Sequence, residues 1–474
     1  MQKILFSILL CFSCTFSFSQ NQQEKIDSVC RLVIKNFNNK DAEGLYQLTG
    51  AAFKKAVTIE RFREIGNTNL FPIGEMLQAI YEKQQNGVSK YKAVFASVNL
   101  AMYLSLDDKD KLETFLFNEY VDERAKKAGK VRSSNKMVTA LDRKLDSAVQ
   151  PYISLEVTTG LSIGILRNGK TYYYGYGETE KGNKKLPNEK TIFEIGSISK
   201  TFTAILLADA VNKGEIRLND PVSLYLPSSI PPLQFGGEPV TIKMLSNHSS
   251  GLPRMPTNFT TAVSDPLNPY KNYGIDQLFG FLSTFKLDRK PGTSYEYSNL
   301  AVATLGAILE NINKKPFEQM VVEKICGPLQ MNDTRQYIRK TDSARFAKGY
   351  SETGKYNGQW DFKAFAPAGS LRSTATDMLR YAKANMSSAP GELSKAIQLT
   401  HSLTFSDGQN KTGLGWHFIK PGDDEVLFHN GGTGGFRSYL AINQEKKFAV
   451  VILSNTAVGT EEVGNELMKW LEKH

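Results

Sequence analysis

Cysteine and histidine are both scarce in this chain of 474 residues, which holds four of the first and five of the second. Cys11 and Cys14 fall in the first apolar stretch. That leaves Cys30 and Cys326 near opposite ends, with no C-x-x-C pair between them and no disulfide framework. Two buried free thiols are expected, and a cysteine nucleophile is disfavoured. The histidines, His248, His401, His417, His429 and His474, form no H-x-H and no H-E-x-x-H, so a zinc hydrolase lacks its ligands and no metal is expected. No glycine loop leads into a lysine and a serine to cradle phosphate, no G-x-S-x-G elbow is read between a strand and a helix, and no organic cofactor is implied. Runs of five or six like charges are missing as well. The net charge of +10 comes from basic residues spread along the chain. This argues against nucleic acid as a partner, although a basic balance suits work beside an anionic wall or membrane surface.

One stretch is long, uncharged and mostly apolar, and no later segment is apolar enough to cross a membrane. Lys3 is followed by Ile4 to Phe18 without a charge, then by the small-x-small triplet Ser17-Phe18-Ser19. This is the layout of a secretory leader, and the stretch is shorter than the roughly 20 residues a membrane-spanning helix needs. Cleavage after Ser19 and a soluble, periplasmic or secreted product are expected. Lipid anchoring through Cys14 is a second reading.

After the leader, 20–121 reads as a small α+β domain. Helical spacing runs over 24–82, through Val29, Leu32, Val33 and Phe37 and then Leu45, Leu48, Phe53, Val57 and Phe62. Period-two patterning follows in 94–100 and 112–117, with the polar turn Asp107-Asp108-Lys109-Asp110 between. The pattern resembles the cone-shaped domains related to nuclear transport factor two. Residues 122–136 are charged and poor in apolar side chains, and are expected to be a solvated linker. The remaining 137–474 has strands at both ends, around Leu161–Ile165, Tyr172–Tyr176, Arg437–Ile442 and Phe448–Leu453, with a helical middle and a closing helix over 461–473. That order implies a mixed α/β domain, an antiparallel sheet flanked by helices with a helical subdomain beside it.

Three segments carry candidate chemistry. Ser-x-x-Lys occurs four times, but only at Ser197 and Lys200 does an apolar strand-like stretch, Thr191–Ile195, run through Gly196 into a helix with apolar Ile198, Phe202, Ile205, Leu206 and Ala210. Three residues are nearly one helical turn, so Lys200 stands beside Ser197 and can stabilise its alkoxide or take its proton. An N-cap serine with a solvent-facing lysine is the plainer alternative. Tyr297-Ser298-Asn299 follows a Pro-Gly-Thr turn and precedes an apolar helix. A phenol near cations loses its proton more easily, and Asn299 can offer its amide; a buried tyrosine and a capping asparagine would look the same. Tyr270-Lys271-Asn272 repeats the triplet. Finally His429-Asn430-Gly431-Gly432-Thr433-Gly434-Gly435 precedes a strand, where glycines let a backbone approach a ligand and His429 can donate to a carboxylate. A plain glycine-rich hairpin is its alternative.

Taken together, the order Ser-x-x-Lys, Tyr-x-Asn and His-x-Gly resembles class C β-lactamases, D-alanyl-D-alanine carboxypeptidases and related esterases. Asn247-His248-Ser249-Ser250-Gly251-Leu252-Pro253, Gly327-Pro328-Leu329-Gln330-Met331 and Ala368-Gly369-Ser370-Leu371-Arg372-Ser373 support it, and the resemblance spans about 140–474. It implies a serine hydrolase that cleaves an amide or ester through an acyl-enzyme. Ser197 would be the nucleophile, Lys200 and Tyr297 the proton-handling pair. Asn299, His429, Gly431, Gly432 and Thr433 would contact a D-Ala-type peptide, a β-lactam or a small ester, with the backbone N–H groups of Ser197 and Gly432 as oxyanion hole. Many β-lactamases of this type have Lys-Thr-Gly where this chain has His429-Asn430-Gly431, and peptidases and esterases often carry His there. A wall or antibiotic sensor that acylates without turning over is the rival reading.

Overall fold

The computed structural model describes residues 20–474 except 86, 96–97 and 121–124; the expected leader, with Cys11 and Cys14, lies outside the described residues. The chain divides into two compact units, 1–122 and 123–474.

The smaller unit packs helices on one face of a four-stranded antiparallel sheet, Met76–Gln85, Val88–Phe95, Asn99–Leu106 and Leu112–Glu119, in sequential order. The helix Gln20–Asn38 buries Ile26, Cys30, Val33 and Phe37, spaced four, three and four apart. Phe37 meets Phe71, Phe95 and Phe117 with ring centroids 5.6–5.8 Å apart. Three expectations change. Leu32 is 45% exposed, so the buried stripe passes through Cys30 instead. Residues 76–85 form a strand rather than a helix, and 94–100 is split between two strands, Val88–Phe95 and Asn99–Leu106.

In the larger unit, eight strands form one antiparallel sheet. Its central run is His417–Ile419, Val426–Gly432, Arg437–Asn443, Phe448–Ser454, Gly160–Arg167 and Lys170–Gly177, so the C-terminal strands pair directly with the N-terminal ones. Alternation sends Leu161, Ile163, Ile165, Ala441, Val450 and Ile452 to one face, under the helices Ala140–Ile153 and Glu461–Lys473. Leu440, Ile442, Val451 and Leu453 go to the other, against Met378 and Leu379 of the helix Ala375–Asn385. Beyond that helix lies the helix-rich half around Ser199–Asn212, a helix buried on nearly every side. An antiparallel sheet flanked by helices, with a helical subdomain, is the architecture expected from the sequence.

Contrary to the absence expected from the sequence, Gly160-Leu161-Ser162-Ile163-Gly164 has the letters of a G-x-S-x-G elbow. It lies within a strand, and the buried Ser162 hydroxyl donates to the Asn188 carbonyl (2.9 Å), so it makes no elbow. Residues 125–136 are not a solvated tether. The Lys127 ammonium donates to the carbonyls of Ile153 and Leu155 and to Thr158 Oγ1 at 2.6–2.9 Å, and Ser134 N–H donates to Gly175 O. Cys30 and Cys326 are buried free thiols, each pushed up to about 12 by burial. Among the described residues no helix is long and apolar enough to cross a membrane.

Candidate active site

Ser197 sits in a single 3-10 turn, Gly196–Ile198, that leads into the helix Ser199–Asn212. The turn is held from two sides. Ile195 N–H donates to Leu371 O (2.9 Å), and Ser199 Oγ accepts Leu371 N–H (3.0 Å). Gly196 has φ +49°, and a Cβ there would stand 2.6 Å from Gly432 N. Opposite it, a Cβ on Gly431 would meet Ile195 O at 2.0 Å. Gly196 and Gly431 are therefore required by the approach of the strand Val426–Gly432 to the serine turn.

One turn along the helix, Lys200 lies on the serine as the motif predicts. Its Nζ is 3.0 Å from Ser197 Oγ and donates to Ala368 O at 2.6 Å. Only 1% of Lys200 is exposed, so burial, with the Arg254 charge adding to it, holds the amine well below its usual pKa. The phenol of Tyr297 faces Ser197 closely enough for the hydroxyl to favour its ionised form, and the Lys200 ammonium position is 4.8 Å from the Tyr297 ring centre. Here the expected direction reverses. Burial pushes the phenol up to about 12, and the Ser197 hydroxyl and the Arg254 charge offset this only in part. Tyr297 is thus a proton donor at neutral pH, and Lys200 the group able to be neutral.

The backbone around Tyr297 is fixed by residues to which the sequence assigned no role. Ser298, not Asn299, caps the helix Asn299–Asn313: its Oγ accepts Ala301 N–H (2.9 Å) and donates to Pro253 O (2.7 Å). The Asn299 amide is left for the cleft, resting 3.6 Å from Met255 Sδ. Ser298 N–H donates to Nδ1 of His248, which is buried with φ +64° and lies with its ring 4.4 Å from that of Tyr297. His417 and His429 complete an imidazole cluster, their rings 6.4 Å from Tyr297. Burial lowers all three; His417 falls to about 4, and the other two fall well below the ordinary value. Among the described residues no group of His, Cys, Asp or Glu is arranged to hold a metal.

The residues expected to touch substrate divide. Asn299 and the exposed Gly432 line a cleft with Ser197, Tyr270, Trp360 and Phe365. His429, Gly431 and Thr433 are buried. His429 Nδ1 faces its neighbour's carbonyl, Asn430 O, at 2.6 Å and must carry the ring proton there, because a carbonyl only accepts. Its Nε2 is then a bare lone pair, buried and without a partner. The neutral ring cannot donate to a carboxylate from that nitrogen, contrary to the role expected of it. Thr433 turns to the buried Glu194, which accepts Trp360 N–H (2.8 Å) and pairs with Arg372 (3.4 Å).

A hydroxyl at a helix start, bonded to a buried amine and facing a phenol, beside an antiparallel sheet with a helical half, defines a serine hydrolase of the penicillin-recognising fold. The family model described as β-lactamase matches residues 145–472, and the chain belongs to that family. A β-lactamase of Pseudomonas fluorescens is 27% identical over 357 residues, 67% of this chain and 94% of the relative. The D-alanyl-D-alanine-carboxypeptidase/endopeptidase AmpH of Escherichia coli (strain K12) is 29% identical over 310 residues, 62% of this chain and 79% of the relative. A solved β-lactamase/D-alanine carboxypeptidase of Pseudomonas syringae shares the fold with TM-score 0.62 at 23% identity, over 71% of this chain and 99% of that one.

Proposed function

We propose that this chain is an exported hydrolase that cleaves an amide or ester through an acyl-enzyme on Ser197. The observation that carries the reading is the buried Lys200 amine 3.0 Å from a half-buried Ser197 hydroxyl that the Tyr297 phenol faces. Neutral Lys200 accepts the Ser197 proton as Oγ attacks the carbonyl carbon, and the N–H groups of Ser197 and Gly432 hold the oxyanion. The Tyr297 phenol protonates the departing nitrogen or oxygen and recovers its proton from the Lys200 ammonium. Water then gives a proton to Lys200 and adds to the acyl carbon, and the released Ser197 oxygen takes that proton back. Asn299 and Gly432 contact the substrate, a D-Ala-type peptide, a β-lactam or a small ester. The leader-like residues 1–19 support export, and 20–121 supports a separate accessory domain for interaction or substrate presentation.

The test is Ser197→Ala, read by steady-state rates on nitrocefin, a diacetyl-Lys-D-Ala-D-Ala tripeptide and p-nitrophenyl acetate, with mass spectrometry of a fluorophosphonate adduct. All turnover and the adduct should vanish. Unchanged rates, or an adduct on another residue, overturn the assignment. A stoichiometric burst without turnover in the unaltered chain would make it a sensor.

A further inference from the structure

His429 is buried and presents no donor from Nε2, His417 is held neutral, and Lys200 is both buried and committed to Ser197. A carboxylate entering the cleft would meet no fixed cation from any of these residues. Arg437 borders Gly432, but its guanidinium donates to the carbonyls of Thr433 and Phe436 and pairs with Glu352 at 3.1 Å. One cation remains. Arg254 follows Pro253, whose carbonyl binds the Ser298 cap, and its own carbonyl accepts Asn299 N–H at 3.1 Å. The guanidinium carbon lies 4.9 Å from the Tyr297 ring centre. Its residue is exposed, and among the described residues no carboxylate pairs with it. Elsewhere in this unit, arginines close to acids are engaged, as Arg289 is by Glu296 and Arg345 by Asp333 and Asp342.

We infer that Arg254 is the specificity residue of this site, binding a carboxylate on the leaving-group side of the substrate, the role that lysine or histidine of the third segment was expected to fill. The inference rests on the Ser197 hydrolase reading and deepens it. Stacked on Tyr297, the guanidinium keeps its edge N–H groups free, and a planar fork of donors matches a carboxylate in two parallel hydrogen bonds. Its backbone is tied to the start of the helix that carries Asn299, so the cation stands at a fixed place relative to the substrate-contacting amide. A free surface arginine would have neither the aromatic platform nor the two carbonyl contacts. The preferred substrates are therefore amides or esters whose departing half bears a carboxylate, as both a D-alanyl peptide and a β-lactam do.

The experiment compares two esters of phenylacetylglycine that differ only in the leaving group, 3-hydroxybenzoate against 3-hydroxybenzamide. The unaltered chain should favour the carboxylate ester, and its KM for that ester should rise with sodium chloride while that for the amide ester does not. Arg254→Gln should remove roughly ten- to hundredfold of the preference, mainly through KM, and Arg254→Lys should restore part of it. Loss of the preference through kcat alone, or an equal loss on both esters, would make Arg254 a support for Tyr297 and overturn the inference. An unaltered preference in Arg254→Gln, or no salt dependence in the unaltered chain, would also overturn it. If neither ester is turned over by the unaltered chain, the hydrolase reading itself fails; if both are cleaved and Ser197→Ala cleaves them equally, only the nucleophile assignment fails.

Discussion

In the proposed mechanism Lys200 serves Ser197 through a neutral amine that can take up a proton, not through its charge. Arginine cannot be deprotonated in this range, so Lys200→Arg separates the two properties. It should lower kcat/KM by about two to four orders of magnitude, the span usual for a lost general base. The pH profile gives the sign. Burial favours the neutral amine, so activity in the unaltered chain should rise with pH through a value well below the ordinary lysine range and hold until the Tyr297 phenol ionises, at about 12. In Lys200→Arg that acid limb should be gone. At this scale the serine, the lysine and the phenol were legible because helical spacing and flanking patterns are local. The protonation roles were not, since burial of Tyr297 depends on segments far from it in sequence. For the same reason the third segment showed a histidine without showing which of its nitrogens would be spent, and Arg254 carried no signal at all.

Between elements, the site depends on a buried ion pair. Phe193–Glu194 pairs with Arg372–Ser373, and across them the Arg372 guanidinium meets Glu194 at 3.4 Å, each side chain only 3% exposed. Arg372 also donates to the carbonyls of Gln336 and Trp360. Arg372→Leu would strand the Glu194 carboxylate, whose pKa burial already raises, and should cost roughly 3–5 kcal/mol of unfolding free energy in a urea melt. A loss under 1 kcal/mol would show that the carboxylate simply takes up a proton. Strands in the large sheet were visible from their unbroken apolar alternation. Residues 76–85 were not, because Leu77, Ile80 and Tyr81 of that strand are exposed and leave no period of two.

For the whole molecule, the expected boundary and the observed one differ in a way that can be measured. Residues 125–136 lie along the larger unit, with Lys127 bound to the end of the helix Ala140–Ile153 and Arg132 O accepting Gly177 N–H. A chain starting at Glu123 should keep ester turnover near the full-length rate. One starting at Met137 should melt several degrees lower, since those contacts are lost. Equal melting temperatures would return 125–136 to the status of a tether.

The sheet order carries one more consequence. Gly160–Arg167, second from one edge of the large sheet, has Phe448–Ser454 as its neighbour, so it waits for almost the last segment to be synthesised. Until that segment leaves the ribosome the nascent chain holds an open sheet edge, and closure over so long a loop is slow. For the export proposed from residues 1–19 such an arrangement is favourable, because the sheet cannot lock shut before that last segment is made.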